Sequence, residues 1–168
     1  PAAVRGKGLL YGEDAEMMIE PAPADHGIVF ERVDLDPPVR IPALIDHAVD
    51  RARRTTLRNG NNTIDTVEHF LSALAGLGID NALVRINGPE VPLGDGSAVP
   101  FVSAIQEAGI QVQDASRLIY EVTEPIILDE DGCMLAAFPS RHEDFRVIYE
   151  LDYGSAEQRI GRQSQGFI

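Results

Sequence analysis

The stretch "TVEHFLSALAGLG", from Thr66 to Gly78, predicts the most distinct helix of the chain. Its apolar residues recur at spacings of three and four, the period of one helix face. We expect Asp65 or Thr66 to cap the start, and Gly76 or Gly78 to lie near the end. An apolar helix face must pack against another layer. The face consists of Val67, Phe70, Leu71, Leu74 and Leu77.

Glu68 and His69 lie side by side at the start of this helix, where a loop rich in turn formers meets the scaffold. Functional groups are often placed at such boundaries. A Glu in the third position after a Thr or Asp cap is also an ordinary capping box, and a lone His is usually a surface or packing residue. From spacing alone, a structural role of Glu68 and His69 is favoured over a catalytic role by roughly three to one.

The segments on either side of the helix predict strands. "DAEMMIEPA" and "GIVFERVDL" are β-rich and are separated by "PAPADH", which predicts two antiparallel strands joined by a hairpin or another tight connection. Pro37 and Pro38 are expected to preclude a regular central strand until after Ile41. "NALVRING" predicts a further strand after the helix.

A second helix is predicted by "AVPFVSAIQEAGI". The loop before it contains Asp95, Gly96 and Ser97, which we interpret as a tight turn with a helix cap rather than a catalytic loop. We expect the two helices, near residues 66–77 and 99–108, on one face of a single, mainly antiparallel sheet. This pattern predicts the α+β class.

The pattern of strands restarts near residue 115. We expect a strand before Pro125, a strand after it, an acidic turn from Asp129 to Gly132, and strands in "MLAAF" and "FRVIYELDY". No helix is predicted to cover the apolar side of these strands, although a sheet face must be buried against another layer. We therefore expect this part to self-associate or to belong to a longer polypeptide.

Composition excludes several classes of protein. Lys and Arg number 14 against 27 Asp and Glu, and this net charge of -13 disfavours a nucleic-acid partner. Cys133 is the only cysteine, which excludes an internal disulfide and a cysteine-built zinc site and suits a reducing cytoplasm. No apolar run is long enough to span a bilayer, and the first residues do not resemble a signal peptide. We expect a cytoplasmic protein without transmembrane segments.

Four motifs of the chain together carry a family resemblance: "TVEHFLSALAGLGIDN", "PEVPLGDGSAVPFV", "EPAPADHGIVFERVDLDPPVRIPA" and "RRTTL". In this order along the chain they resemble the first half of the UDP-3-O-acyl-N-acetylglucosamine deacetylases, zinc hydrolases that commit a sugar nucleotide to lipid A synthesis in Gram-negative bacteria. The resemblance implies a two-layer domain of one sheet and two helices, like ribosomal protein S5 domain 2, over residues 1–114. It also implies the first strands of a second, similar domain from residue 115 to 168.

The resemblance also implies roles for the residues at the helix start. His69 matches the first zinc ligand of the family, and Glu68 matches the general base that acts on the water activated by the zinc. A neutral imidazole suits zinc, and the positive end of a helix helps to keep a carboxylate ionised. The segment of Thr55, Thr56 and Leu57 would line the groove for the UDP-sugar substrate, with a solvated loop as the alternative.

Parts of the family pattern are missing. Leu10 stands where many members have a His, and the second His, the Asp and the later general-acid His of the family have no match here. Three protein ligands are the rule at a hydrolytic zinc site, so this chain is expected to be an inactive fragment of the deacetylase. The alternatives are a non-catalytic interaction module and a shortened homologue that retains the fold. We expect the remaining histidines, His26, His47 and His142, to be solvated loop residues.

Overall fold

The computed structural model describes residues 1–140, 144–154 and 159–167. Within it the chain divides into two compact units, residues 1–117 and 118–168. His142, which the sequence predicts in a solvated loop, lies outside the described residues. None of the helices in the described ranges has the length and apolar character needed to cross a membrane.

The first unit contains eight strands and two α-helices. Five strands form one sheet in the order β1-β2-β8-β3-β4, in which only the β3–β8 pair is parallel. The three short strands β5, β6 and β7 form a separate antiparallel sheet. The bounds are β1 Ala2–Lys7, β2 Asp14–Pro21, β3 Ile28–Arg32, β4 Val39–Pro42, β5 Ala48–Val49, β6 Thr56–Asn59, β7 Asn62–Asp65, α1 Glu68–Leu77, β8 Ala82–Ile86 and α2 Val99–Ala108.

One hydrophobic core joins the large sheet to both helices. Alternate residues of the strands, such as Met17 of β2 and Val84 of β8, are fully buried, as the period of two in a half-buried strand requires. Phe70 of α1 makes edge-to-face contacts with Phe30 of β3 and Phe101 of α2, with ring centroids 5.7 and 5.6 Å apart. The first unit is therefore an α+β fold with a helix layer on a sheet, as predicted.

Two details of the strand prediction are wrong. The β2 and β3 strands run in opposite directions, as predicted, but they do not form a hairpin, because β8 lies between them and pairs with both. The sheet is also not single, since the chain builds β5, β6 and β7 as a separate sheet before α1. The β4 strand begins at Val39, and it lies at the edge of the sheet, where the preceding prolines are tolerated.

The second unit consists of two antiparallel strand pairs in its described part. One pair is β9, Ile126–Glu130, with β10, Cys133–Ala137, joined through the predicted acidic turn. The other is β11, Val147–Leu151, with β12, Gln163–Phe167. The strand predicted before Pro125 does not form, because residues 118–123 have no partner strand. Apolar side chains such as Ile148, which is 76% exposed, face solvent within this unit.

Candidate functional site

Helix α1 begins at Glu68, immediately after a sharp change of backbone direction. Thr66 has a φ of 61°, in the left-handed region that β-branched residues rarely adopt. The capping residue is Val67, which makes no side-chain bond to the helix. The capping-box interpretation is therefore wrong, and the side chains of Asp65 and Thr66 are used for other contacts. At its far end the helix closes on Gly78, with a φ of 67°, as predicted.

Glu68 and His69 occupy the first turn of α1, and both are half-buried. Glu68 Oε2 accepts the backbone N–H of Thr55 at 3.1 Å, which ties the carboxylate to the preceding loop. The His69 ring makes no hydrogen bond to any described residue, while its backbone carbonyl accepts the Ser72 hydroxyl at 2.8 Å. The imidazole therefore keeps both nitrogens available for a ligand, as far as the described residues show.

Asp65, three residues before the start of α1, is a buried carboxylate with only 2% of its surface exposed. Its Oδ1 accepts the Thr56 hydroxyl and, at 3.0 Å, the Nε–H of Arg54. Its Oδ2 accepts the Tyr11 hydroxyl at 3.0 Å. The pKa of Tyr11 is raised, first by this hydrogen bond and then by burial. Three different donors thus satisfy one carboxylate in the interior.

Glu90 is a second buried carboxylate, with 3% of its surface exposed. It accepts the backbone N–H groups of Leu10 and Tyr11 at 2.9 and 3.1 Å, and the Thr66 hydroxyl at 3.0 Å. Asp65 and Glu90 also form an isolated parallel bridge through their backbones. Together the two carboxylates hold the glycine-rich loop that contains Leu10 against the start of α1.

The predicted groove segment divides into exposed and buried residues. Thr55 is exposed, whereas only 1% of the surface of Thr56 and 3% of that of Leu57 are accessible to solvent. Thr56 uses its hydroxyl on Asp65, and Leu57 belongs to the hydrophobic core. Thr55 is therefore the member whose side chain is accessible to a ligand, and substrate contact by this segment stays a prediction.

The loop before α2 forms the predicted turn. Asp95 Oδ1 accepts both the backbone N–H and the hydroxyl of Ser97, at 2.9 and 2.7 Å. The Ser97 hydroxyl lowers the pKa of Asp95. Ser97 Oγ in turn accepts the N–H of Val99, the first residue of α2. These contacts are those of a tight turn. The capping residue of α2 is Ala98, which makes no side-chain cap bond, so the helix-cap part of the prediction is wrong.

The predicted zinc ligand His69 has no cluster of further ligands around it in the described part of the chain. Among the described residues there is no group of three or more His, Cys, Asp or Glu side chains able to hold a metal ion. His69 offers an imidazole next to the carboxylate of Glu68. His26 and His47 each contact a backbone carbonyl through Nδ1, at 3.0 and 2.9 Å. The described residues therefore provide no complete ligand set for zinc, and ligation by His69 stays a prediction.

The sequence predicts Glu68 and His69 but not the two buried carboxylates Asp65 and Glu90. The cap predicted at Asp65 is not formed, and Glu90 carries no prediction. Asp65 binds Tyr11, 54 positions away, and Glu90 binds Leu10, 80 positions away, so no local spacing marks these contacts.

Comparison with known proteins shows the family of the chain. Proteins named UDP-3-O-acyl-N-acetylglucosamine deacetylase from Legionella pneumophila strains Corby, Lens and Paris are each 45% identical to this chain over 148 residues. That stretch covers 88% of this chain and 48% of each relative, so the chain spans about half the length of the curated relatives it matches. The family profile described as UDP-3-O-acyl N-acetylglycosamine deacetylase, LpxC, matches residues 1–167. The chain therefore belongs to the UDP-3-O-acyl N-acetylglycosamine deacetylase family.

Proposed function

We propose that this chain supplies one half of a cytoplasmic, zinc-dependent deacetylase that removes acetate from UDP-3-O-acyl-N-acetylglucosamine, the committed step of lipid A synthesis. The names of the Legionella relatives support this substrate. The observation that carries the proposal is the pair Glu68 and His69 on the first turn of α1, with the carboxylate held by a backbone N–H and the imidazole without a protein partner among the described residues.

Glu68 is the general base of the proposed reaction. Its Oε2 is held by the Thr55 N–H at 3.1 Å, which leaves Oε1 to take a proton from the attacking water. The positive end of the α1 dipole favours the ionised carboxylate that a base requires. Positioned acid–base groups typically contribute about 10²–10⁴-fold to a rate, so Glu68 has the chemistry for a large share of the catalysis.

His69 would supply one zinc ligand. When bound, zinc acts as a Lewis acid that makes water a better nucleophile and stabilises negative charge on the amide oxygen. A hydrolytic zinc site uses three protein ligands, so the other two, and the acid that protonates the leaving amine, would come from outside the described residues. This 168-residue chain is therefore proposed to be inactive alone.

Thr55 is proposed to contact the substrate at the rim of the site. The Thr55 side chain is exposed, and the Thr55 backbone N–H donates to Glu68. Arg53 is also exposed and could balance the charge of an anionic sugar nucleotide. Arg54 is less suited to this role, because its guanidinium is committed to Asp65.

We infer that residues 1–114 are the first domain, of the ribosomal S5 domain 2 type, and that residues 115–168 begin a second, similar domain. The exposed apolar strands of the second unit support this inference, since full burial of one such side chain contributes roughly 1.5–3 kcal/mol. The remainder of the domain, or self-association, would cover them. Sedimentation at micromolar concentration tests this: a stable monomer of the 168-residue chain with cooperative unfolding of residues 118–168 would contradict it.

The test of function compares zinc content and deacetylation in the full-length gene product and in the 168-residue chain. In the full-length protein, we expect Glu68→Gln to keep zinc and to lower kcat by about 10²–10⁴-fold. His69→Ala should lose zinc and activity together. His47→Ala is the matched control, because His47 contacts the Arg58 carbonyl and should leave both unchanged.

The same experiment separates the enzyme from a non-catalytic interaction module. A module would bind no stoichiometric zinc and would deacetylate nothing at any chain length. A full-length protein whose activity survives both chelation and the Glu68→Gln change would also contradict the proposed mechanism.

A further inference from the structure

Asp65 holds both neighbours of Thr55, the residue that binds Glu68. Its Oδ1 accepts the side chain of Arg54 on one side of Thr55 and the side chain of Thr56 on the other. Asp65 is buried, and nothing in the proposed reaction requires it to touch substrate. Burying a carboxylate lowers the stability of a protein unless the carboxylate is fully paired. A buried Asp65 therefore calls for a structural or functional reason.

The Thr55 backbone is fixed on both of its polar groups. Its carbonyl accepts the N–H of Thr66 at 3.0 Å, and its N–H donates to Glu68 Oε2 at 3.1 Å. The side chains of Arg54 and Thr56 both donate to Oδ1 of Asp65. Asp65 thus anchors the two residues that flank the Thr55 N–H.

We propose that Asp65 is a positioning residue for Glu68, acting through the Thr55 N–H; this inference rests on the proposed function. A carboxylate suits the task because one oxygen can accept a guanidinium N–H and a hydroxyl together, and the charge strengthens both bonds. A catalytic group must be held within about 0.5 Å of its productive position by neighbours that are themselves fixed. Asp65 provides that support from the interior.

The proposal is tested first by the Thr55 amide itself, in the 168-residue chain. We expect Asp65→Ala to make amide hydrogen exchange at Thr55 about tenfold or more faster, because the loop no longer holds the N–H on Glu68. Since this buried substitution can impair folding, Thr56→Val serves as a second variant that removes one of the two bonds at nearly constant shape. Exchange at the core residue Phe30 reports whether the fold is intact.

The second arm uses the zinc-loaded full-length gene product. Thr56→Val and Asp65→Ala should lower kcat by about 10–100-fold, with KM and zinc content unchanged, as for other supporting residues behind a catalytic group. Tyr11→Phe is the matched control, because Tyr11 binds the other oxygen of the same carboxylate. It should leave both Thr55 exchange and kcat unchanged.

Each outcome decides a different point. Unchanged Thr55 exchange in both variants with Phe30 protected would overturn the positioning role, as would a loss of activity that lies in KM or in zinc content. A wild-type full-length protein that does not deacetylate the substrate would refute the proposed function. The exchange arm would then still decide whether Asp65 orients the Thr55 N–H.

Discussion

Thr66 donates its hydroxyl to Glu90 across 3.0 Å, although the two residues are 24 positions apart. The bond links the turn before α1 to the loop after β8. Glu90 also accepts two backbone N–H groups from the loop between β1 and β2. One buried carboxylate thus joins three segments around the start of the helix that carries Glu68. Small substitutions next to Glu90 should therefore change the stability of the first unit.

Gly8 is expected to tolerate no side chain. A Cβ at this position would lie 2.1 Å from Glu90 Oε2 and 2.7 Å from its Cδ. Glu90 would have to move away from the N–H groups that it binds, and a buried carboxylate would lose its partners. We expect Gly8→Ala to lower the free energy of unfolding by about 2–3 kcal/mol, measured by urea denaturation.

Gly76 provides the matched control within the same unit. It lies inside α1, and a Cβ there meets nothing within 4 Å. Gly76→Ala should therefore stabilise the unit by about 0.5–1 kcal/mol, since Ala is the better helix former. Equal effects of the two substitutions would refute the steric argument for Gly8.

Thr66 combines an unfavourable backbone conformation with a favourable hydrogen bond. Its φ of 61° costs roughly 1–2 kcal/mol, and its hydroxyl satisfies Glu90. Thr66→Val keeps the strain and removes the bond, so we expect a loss of about 1–3 kcal/mol. Thr66→Gly removes both, and the two effects should largely cancel. A lower free energy of unfolding for Thr66→Gly than for Thr66→Val, measured by urea denaturation, would contradict the strain assigned to Thr66.

The sequence predicts the parts of the fold that depend on local spacing. The positions of Phe70, Leu74 and Gly78 follow from the helix period and from the conformational freedom of glycine. The place of β8 between β2 and β3 does not, because strand order depends on contacts between residues far apart in the chain. The same limit applies to the site. Glu68 and His69 are neighbours in the sequence, so their proximity can be predicted, whereas Asp65 contacts residues that only the folded chain brings to it.

Glu31 is expected to make the first unit sensitive to acid. On the outer face of the sheet it accepts Arg40 Nε at 2.8 Å and Arg85 Nε at 3.0 Å. The hydrogen bond from Arg40, assisted by that from Arg85 and opposed by burial, lowers the pKa of Glu31 from its ordinary value of 4.5. Its contribution to stability is therefore complete above pH 4.5 and is lost as the pH falls through the lowered folded-state pKa.

Glu31→Gln should flatten the decrease in stability below this pH and cost about 1 kcal/mol at pH 7. Hydrogen exchange of the buried Val84 amide, followed across the pH range, measures the stability of the first unit alone. Arg40→Gln, which removes the larger cause of the shift, should flatten the same decrease in part. An unchanged pH profile in both variants would contradict the proposed ion pairs.

Phe70 should couple the stability of the core to the geometry of the site. Its ring contacts Phe30 of the sheet and Phe101 of α2, and it follows Glu68 by only two positions on α1. Phe70→Ala is expected to cost about 3–5 kcal/mol, a large part of the 5–15 kcal/mol that stabilises a typical domain. Phe70→Leu keeps most of the apolar volume and should cost about 1–2 kcal/mol, because the two edge-to-face contacts are lost.

The informative variant is Phe70→Leu, because it remains folded while α1 becomes less firmly held. We expect faster hydrogen exchange throughout α1, and a smaller increase at Thr55, whose loop is also anchored by Asp65. Phe101→Leu, a matched change on α2, should accelerate exchange in α2 more than in α1. If both variants loosen the two helices equally, the core responds as one cooperative unit, and Phe70 has no special connection to the residues at the helix start.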